Sequence, residues 1–125
     1  MINKLSYIDM PSGEKIPLAF NMNVMEAIQD KFETVDKWAE KIEIKDNEPI
    51  NIKDLKAGFK EMINEGIDIF NETAEEKMNP LSDKQVGRVI TAMGLGNAAE
   101  KILATMQNEM LDDESSETND NSKNE

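Results

Sequence analysis

The stretch NIKDLKAGFKEMINEGIDIF, residues 51–70, predicts the long helix on which the rest of the chain packs. Asn51, followed three residues later by Asp54, has the spacing of a helix N-cap with a capping box. Gly58 and Gly66 each cost about 1 kcal/mol of helix propensity relative to Ala. We therefore expect both glycines to serve close packing, with an early end of a first helical segment as the alternative for Gly66. Apolar side chains recur at steps of three and four residues, which lays them along one face of this helix: Ile52, Leu55, Phe59, Met62, Ile63, Ile67 and Phe70.

The boundaries of this helix and of the one before it follow from caps and a proline. Asn23 with Glu26 predicts the start of the preceding helix, which continues to about Ile42. The central helix is predicted to run on to about Lys77, because the residue before Pro80 disfavours the helical region. A polar connector with turn residues separates the two helices.

Two more helices are predicted in the second half of the chain. Ser82 with Gln85 opens the third, and Asn97 with Glu100 opens the fourth. Between them, Gly94-Leu95-Gly96 is predicted to be a helix C-cap and tight turn, because the strand and the Lys-Ser/Thr of a phosphate loop are both missing. All four helices thus begin with an Asn or Ser followed three residues later by Glu, Asp or Gln, and this agreement favours a helical domain.

A β-hairpin is predicted at the N-terminus. Two short runs with apolar residues, 5–10 and 16–20, flank the turn Pro11-Ser12-Gly13-Glu14. Pro17 lies inside the second run, and since proline cannot donate to a sheet ladder, we expect this strand at an edge. An isolated hairpin is marginal in water, so it should pack against a helix.

The C-terminal stretch, residues 112–125, contains no apolar residue and has six acidic residues against one basic one. Such a segment cannot bury enough surface to offset the entropy of ordering, and we predict disorder. The predicted fold is therefore mainly α. It comprises a small helical domain of about four helices with an N-terminal β-hairpin, residues 1–111, and a disordered acidic C-terminal tail, residues 112–125.

Composition narrows the classes of function. The 125 residues suit one domain with a single core. Twenty-six acidic and 14 basic residues give a net charge of −12, which disfavours direct binding of nucleic acid. No apolar run approaches the roughly 18 residues that a membrane span needs, and the N-terminus lacks the layout of a secretory signal. We expect no membrane partner and a cytoplasmic location.

Candidate catalytic chemistry is sparse. The chain has neither cysteine nor histidine, which excludes disulfides and thiolate ligands and removes the usual general base and the commonest metal ligand. Glu75 and Glu76 are adjacent in a predicted helix, so they do not face each other and are expected to be solvated. We predict no catalytic, cofactor-binding or metal-binding residues and no enzymatic activity. An enzymatic alternative would require a deep pocket with carboxyl groups of shifted pKa.

Three runs of the sequence resemble a known family. They are IPLAFNMNVMEAIQDKFETVDKW (16–38), DLKAGFKEMINEGIDIF (54–70) and LSDKQVGRVITAMG (81–94), followed by an acidic C-terminus. Together they resemble the tail assembly chaperones of long-tailed, siphovirus-type bacteriophages and prophages of Gram-positive bacteria. The likeness extends from residue 5 to about residue 111. Its most specific parts are Phe20-Asn21-Met22-Asn23 and Met62-Ile63-Asn64-Glu65-Gly66, which are packing and capping patterns.

The resemblance implies a non-enzymatic protein of the bacterial host cytoplasm. Members of this family bind the long helical tape measure protein and keep it soluble while tail tube subunits polymerise around it. A programmed ribosomal frameshift often yields a longer form, whose extra domain recruits the tail tube protein. The present chain looks like the short form of such a pair, and self-association on the client is a further expectation.

The predicted partner-binding residues are Phe20, Met93, Met106 and Met110. Nine methionines are present, and methionine-rich surfaces adapt to several apolar partners. We expect these four side chains to form an apolar patch that contacts the client or neighbouring copies, with filling of core gaps as the alternative. Trp38 is expected to be a core residue rather than a contact.

A second hypothesis comes from the charge. An acidic inhibitor or regulator that mimics nucleic acid, and so occupies a DNA-processing enzyme, would also carry an excess of carboxylates. Mimicry requires acidic groups arrayed on a rigid surface. In this chain the tail, at −5, supplies nearly half of the −12.

Overall fold

The computed structural model describes the backbone of residues 5–46 and 48–121 and the side chains as far as residue 109. In this part of the chain the predicted class, mainly α with an N-terminal antiparallel hairpin, is confirmed. The elements are β1 (Ser6–Asp9), β2 (Lys15–Leu18), α1 (Met22–Phe32), α2 (Val35–Ile42), α3 (Ile52–Thr73), α4 (Asp83–Met93) and α5 (Leu95–Asn121).

The acidic tail is described only in part. The backbone of α5 is helical to Asn121, which lies inside the stretch 112–125 that the sequence predicts to be disordered. Side chains from residue 110 onward, and residues 122–125 altogether, lie outside the described residues. Disorder of the tail, and its separation from a domain of residues 1–111, stay predictions.

The two strands of the predicted hairpin pair antiparallel, from Ser6 opposite Leu18 to Asp9 opposite Lys15. Ile8 pairs with Ile16, and the amide of Met10 donates to the carbonyl of Glu14 at 2.9 Å. Hydrogen-bonded and non-hydrogen-bonded pairs alternate in an antiparallel ladder, so Pro17, opposite Tyr7, occupies a position whose amide would face away from β1. The missing donor therefore costs no ladder bond, and the predicted edge position of this strand is confirmed.

The backbone of β2 lies directly on α3 at Gly66. A Cβ on this glycine would stand 2.6 Å from the amide nitrogen of Leu18 and 2.7 Å from the carbonyl carbon of Pro17. Just beyond, the amide of Ala19 donates to the carbonyl of Met62, one turn earlier on α3, at 3.1 Å. Only glycine permits this approach, so the predicted packing role of Gly66 is confirmed and the early helix end is wrong.

The helix predicted from Asn23 to Ile42 is two helices. Asn21, rather than Asn23, is the N-cap of α1, since its side chain accepts from the amide of Val24 at 3.2 Å. The chain leaves α1 at Glu33, whose φ of 75° and ψ of −51° form a γ-turn closed by a 2.9 Å bond from the amide of Thr34 to the carbonyl of Phe32. Periodicity alone did not reveal this strained reversal.

The break between α1 and α2 places Trp38 against α3. Trp38 is fully buried, as expected for a core residue, and its indole N–H donates to the carbonyl of Asp54 at 2.8 Å. A Cβ at Gly58 would stand 1.9 Å from Cζ2 of this indole. The second glycine of α3 is therefore also a packing glycine, as predicted.

The central helix begins at its predicted cap but ends early. The side chain of Asn51 accepts from the amide of Asp54 at 3.0 Å, whereas the helix stops at Thr73 instead of near Lys77. Asn71 exchanges two hydrogen bonds of 2.9 Å with the backbone of Met78, which turns the chain back along α3. The ammonium of Lys77 donates to carbonyls at this helix end, whose acceptors would otherwise be unsatisfied.

The last two helices meet at a glycine. Ser82 and Gln85 form the predicted capping box of α4, and Gly94, at φ 94°, is its C-cap. The next helix begins already at Leu95, so the predicted N-cap Asn97 lies within it and donates from Nδ2 to the carbonyl of Met93 at 2.9 Å. The turn predicted between the helices is therefore tighter than expected.

One core joins all seven elements. α3 lies between the hairpin, α1, α2 and α4, and α5 closes the core with Ala98, Ala99 and Ile102. The largest fully buried side chains are Trp38, Phe20, Phe59, Ile8, Leu18, Ile28, Ile42, Leu55, Met62, Ile63, Ile67 and Ile102.

Gly66 packs against a neighbouring backbone, whereas Gly87 has room for a methyl group beside it, and this difference gives a first prediction. Gly66→Ala should lower the free energy of unfolding by about 2 kcal/mol, because the added methyl meets the backbone of β2, which cannot move without disrupting the hairpin. Gly87→Ala is the matched control, since its Cβ would meet nothing closer than Lys56 Nζ at 3.6 Å, and should gain up to about 1 kcal/mol of helix propensity. Urea unfolding measures both. Equal effects would contradict the contact at Gly66.

The γ-turn gives a second prediction, in which the substitution increases the stability of the fold. Glu33→Gly should stabilise the fold by about 1 kcal/mol, because glycine adopts the positive φ without strain. The exposed ion pair between Glu33 and Lys37 that is lost contributes little. Glu40→Gly, an exposed position inside α2, should instead destabilise by about 1 kcal/mol. Thermal and urea unfolding distinguish the two, and destabilisation by both variants would contradict the strain.

Candidate functional site

The predicted apolar patch does not form as expected. Phe20 is 1% exposed and Met106 is 6% exposed, so their predicted surface placement is wrong. Phe20 follows β2 into the core above α3, and Met106 lies one turn beyond Ile102 on the packed face of α5. Met93 is half-buried against the core, and the side chain of Met110 lies outside the described residues.

A concave groove lies between α3 and α4. Its volume is about 520 Å³, within the range of ligand-binding clefts. The N-terminal turns of α3, the length of α4 and the start of α5 form its walls. We call it the α3–α4 groove, and it is lined by Ile52, Lys56, Lys84, Gly87, Arg88, Ile90, Thr91, Gly94 and Leu95.

A second cleft continues the groove along the other side of α3. It measures about 460 Å³ and shares Ile52 and Lys56 with the first, so the two form one surface around the N-terminal half of α3. Its lining is Lys31, Ile52, Lys53, Lys56, Ala57, Lys60, Glu61 and Asp83.

Apolar side chains line part of the groove. Ile52, which the sequence pattern placed on the buried face of α3, is 57% exposed because it stands at the first helical position, beyond the end of the core. Leu95 is half-buried beside it, and Ile90 lies at the bottom. Ile44, 54% exposed, has its Cδ1 3.8 Å from where a Cβ of Gly96 would stand, so it extends the apolar surface past the start of α5.

Basic side chains surround this apolar surface. The two clefts together present six Lys and Arg against two acidic residues, a local charge of +4 in a chain of −12. Lys60 bonds Asp83 at 3.0 Å, and Lys31 stands 3.9 Å from Glu61. The remaining four have no ion pair within the part of the chain that the structure describes: Lys53, Lys56, Lys84 and Arg88.

The positive charge around the two clefts lowers the pKa of Asp83. The hydrogen bond from Lys60 holds the pKa of this exposed carboxyl below its ordinary value of 3.8, and the charges of Lys60, Lys56 and Lys31 lower it further. Three lysines thus act on one carboxylate, which is what a local excess of cations predicts. The electrostatics of the groove favour an anionic partner.

The side chains that line the groove are suited to binding another molecule. Its hydroxyl, Thr91 Oγ1, donates to the carbonyl of Gly87 at 3.0 Å. No cluster of three or more acidic groups placed to hold a metal ion occurs among the described residues. Apolar side chains and unpaired cations can hold a segment of another molecule, and no described pair of a nucleophile and a base converges there.

Another cavity lies at the far end of α3. It measures about 640 Å³ and is lined by Phe70, Ala74, Glu75, Glu76, Lys77 and Met78. Glu75 and Glu76 are both exposed, in agreement with their expected solvation. Two acidic residues and one basic residue give this cavity little net charge, so it lacks the electrostatic character of the α3–α4 groove.

Sequence reasoning overlooked the cations of the groove because each helix was examined for its apolar face. A signal was present: Lys53, Lys56 and Lys60 follow each other at three- and four-residue steps on α3, and Lys84 and Arg88 are four apart on α4. In an acidic chain, such rows of one sign on neighbouring helices indicate a surface with a particular partner.

Comparison with known proteins adds no relative. No protein-family model, curated protein or solved structure matches the chain. Within the described residues, every helix is too short or too polar to cross a lipid bilayer.

The lowered pKa of Asp83 gives a third prediction. Lys60→Gln should raise the pKa of Asp83 toward 3.8, because the largest cause of the shift is removed, and Lys56→Gln should raise it by less. A carboxyl of lowered pKa contributes stability above its unfolded pKa and loses it as pH falls through the folded pKa, so Lys60→Gln should weaken the pH dependence of stability below about pH 4. Carboxyl ¹³C NMR titration measures the shifts. An unchanged Asp83 in Lys60→Gln would contradict the ion pair.

Proposed function

We propose that this chain is a phage tail assembly chaperone, which binds the tape measure protein and keeps it soluble while the tail tube assembles. The single observation that carries the proposal at the level of geometry is the α3–α4 groove, an apolar surface with three unpaired cations on a helical domain without a catalytic arrangement among its described residues. Such a surface suits helix-in-groove recognition of another polypeptide.

The sequence resemblance supports the same proposal, since its two most specific segments contact each other. Asn21 and Asn23 donate from Nδ2 to one carboxylate oxygen of Glu65 at 2.8 and 3.1 Å. The Ala19 amide, next to the first segment, donates to Met62 in the second. Together they form the junction of hairpin, α1 and α3, so the likeness concerns residues that hold the domain together.

The client explains why such a surface is useful. A tape measure protein presents long apolar helical stripes, which aggregate unless covered. A small domain that covers one short stretch at a time binds weakly by itself, and many copies along one client bind through avidity. The acidic excess then keeps the coated client soluble by mutual repulsion.

The wider family role belongs to the proposal too. The chain acts in the bacterial host cytoplasm as the short form of a frameshifted pair, and the longer form recruits the tail tube protein. Self-association of copies on the client follows from their close spacing. Mimicry of nucleic acid fits less well, because the α3–α4 groove is lined by three basic residues and no acidic one.

The fourth prediction tests the proposed function. Co-expression with the tape measure protein of the same phage genome should keep that protein soluble and give a complex that co-purifies. Ile52→Gln should reduce the affinity at least tenfold, because an apolar contact of the groove is lost.

Met22→Gln is the matched control. Met22 is also the first residue of its helix and is 74% exposed, but it lies outside the groove, so its variant should bind as the wild type does. Recovery of a nuclease or polymerase instead of the tape measure protein would overturn the proposal. Equal losses in both variants would show that the groove is not the binding surface.

A further inference from the structure

We propose that the α3–α4 groove binds a helical segment whose apolar stripe is edged by Asp and Glu, so that it selects acidic stretches of its client. This inference rests on the proposed function, because the client is taken to be the tape measure protein. It adds the chemistry of the segment that is recognised and the residues that recognise it.

Three side chains of like charge line the α3–α4 groove: Lys56, Lys84 and Arg88. The place where a Cβ of Gly87 would stand is 3.6 Å from Lys56 Nζ, so the ammonium group of α3 extends over the glycine of α4. Lys84 and Arg88 lie one turn before and one residue after this glycine. Lys56 thus occupies the room left by the missing side chain, and Lys84 and Arg88 line the same groove.

The described part of the chain holds none of these cations in an ion pair. Lys53, Lys56, Lys84 and Arg88 have no ion pair among the residues that the structure describes, although acidic residues outnumber basic ones 26 to 14 in the whole chain. An unpaired cluster raises the free energy of the unbound domain by self-repulsion. Carboxylates of a partner relieve that repulsion, so the groove prefers an acidic partner.

The apolar lining and the length of the groove indicate the shape of the partner. Between the cations lie Ile52, Ile90 and Leu95, which a bare phosphate or a polar chain would leave uncovered. α4 has 11 residues and is therefore about 16 Å long, a length that three turns of a partner helix match. A helix with one apolar stripe and carboxylates on both sides of it can contact the apolar side chains of the groove and pair with its cations at the same time.

The charge distribution of the whole domain strengthens the selection. With a net charge of −12, the chain as a whole repels an acidic segment, and a basic surface is where such a segment can approach. Electrostatic complementarity of this kind acts mainly on specificity and on the rate of association. The apolar floor then retains the segment once it is seated.

The fifth prediction uses two synthetic helical peptides of about four turns. Both carry Leu at three- and four-residue steps, flanked by Glu in the acidic peptide and by Lys in the basic one. In fluorescence anisotropy with the full chain, the acidic peptide should bind at least tenfold more tightly than the basic peptide. Its affinity should fall as the salt concentration rises from 50 to 300 mM, because screening weakens the cationic rim.

Charge reversal locates the site. Lys56→Glu/Arg88→Glu should lose at least tenfold in affinity for the acidic peptide and gain affinity for the basic one, a gain that an unfolded protein would not show. The matched control, Lys37→Glu/Lys41→Glu, makes the same change of charge on α2, outside both clefts, and should stay within threefold of the wild type. Lys56→Gln/Arg88→Gln should fall between these two.

Several results would overturn the inference. They are equal binding of the two peptides, an equal loss in the control variant, and displacement of the acidic peptide by a single-stranded oligonucleotide at similar concentration. A peptide of residues 110–125 that competes equally well would show that the chain's own C-terminal segment is the occupant. Wild-type capture of the tape measure protein that persists in Lys56→Glu/Arg88→Glu would overturn this inference alone, whereas no capture by the wild type would overturn the proposed function.

Discussion

The contact between the backbone of β2 and Gly66 is the constraint on which the rest of the domain depends. A sheet of two strands is marginal by itself, so the hairpin requires a helix beneath it. Gly66 lets the chain at Leu18 come so near to α3 that the next amide, that of Ala19, bonds directly to the Met62 carbonyl. The hydrogen bonds from Asn21 and Asn23 to Glu65 then hold the start of α1 against α3.

The same helix positions the remaining elements by different means. Gly58 leaves room for the indole of Trp38 to pack directly on α3, and this contact determines where α2 lies. Asn64 exchanges hydrogen bonds of 3.2 and 2.8 Å with the backbone of Leu81, and Asn71, two turns later, does the same with Met78. These two amides hold the connection to α4 against α3. The groove exists because α4, so held, leaves a gap beside the N-terminal half of α3.

Charge is distributed unevenly in this protein. The chain as a whole carries a net charge of −12, and the mutual repulsion of such chains is compatible with the proposed role on a client. The groove is basic, and its apolar surface, with Ile52 and Leu95, is partly exposed without a described covering element. The lining of the groove includes two isoleucines and three cations and none of the methionines that stand out in the composition. The resemblance to tail assembly chaperones and the groove support the same kind of activity by separate observations, one from sequence and one from geometry.

Much of the fold could be read from local sequence. The caps Asn51 and Ser82, the hairpin turn and the packing glycines Gly58 and Gly66 were all predicted, because caps, turns and close approaches depend on backbone chemistry that a few residues carry. Local patterns were less informative at Glu33. The apolar periodicity continues through this residue, although the chain makes a γ-turn there and Trp38, just beyond the turn, packs on α3.

What only the tertiary structure decided is exposure. Phe20, Met106 and Ile52 are equally apolar in the sequence, and yet the first two are buried and the third is open to solvent. Whether a residue on an apolar stripe reaches a neighbour depends on where the neighbouring helix ends, and that is determined by contacts between distant segments. For the same reason the cations of α3 and α4 became one site only when the fold placed their helices side by side, whereas the helical class of the chain followed from the sequence itself.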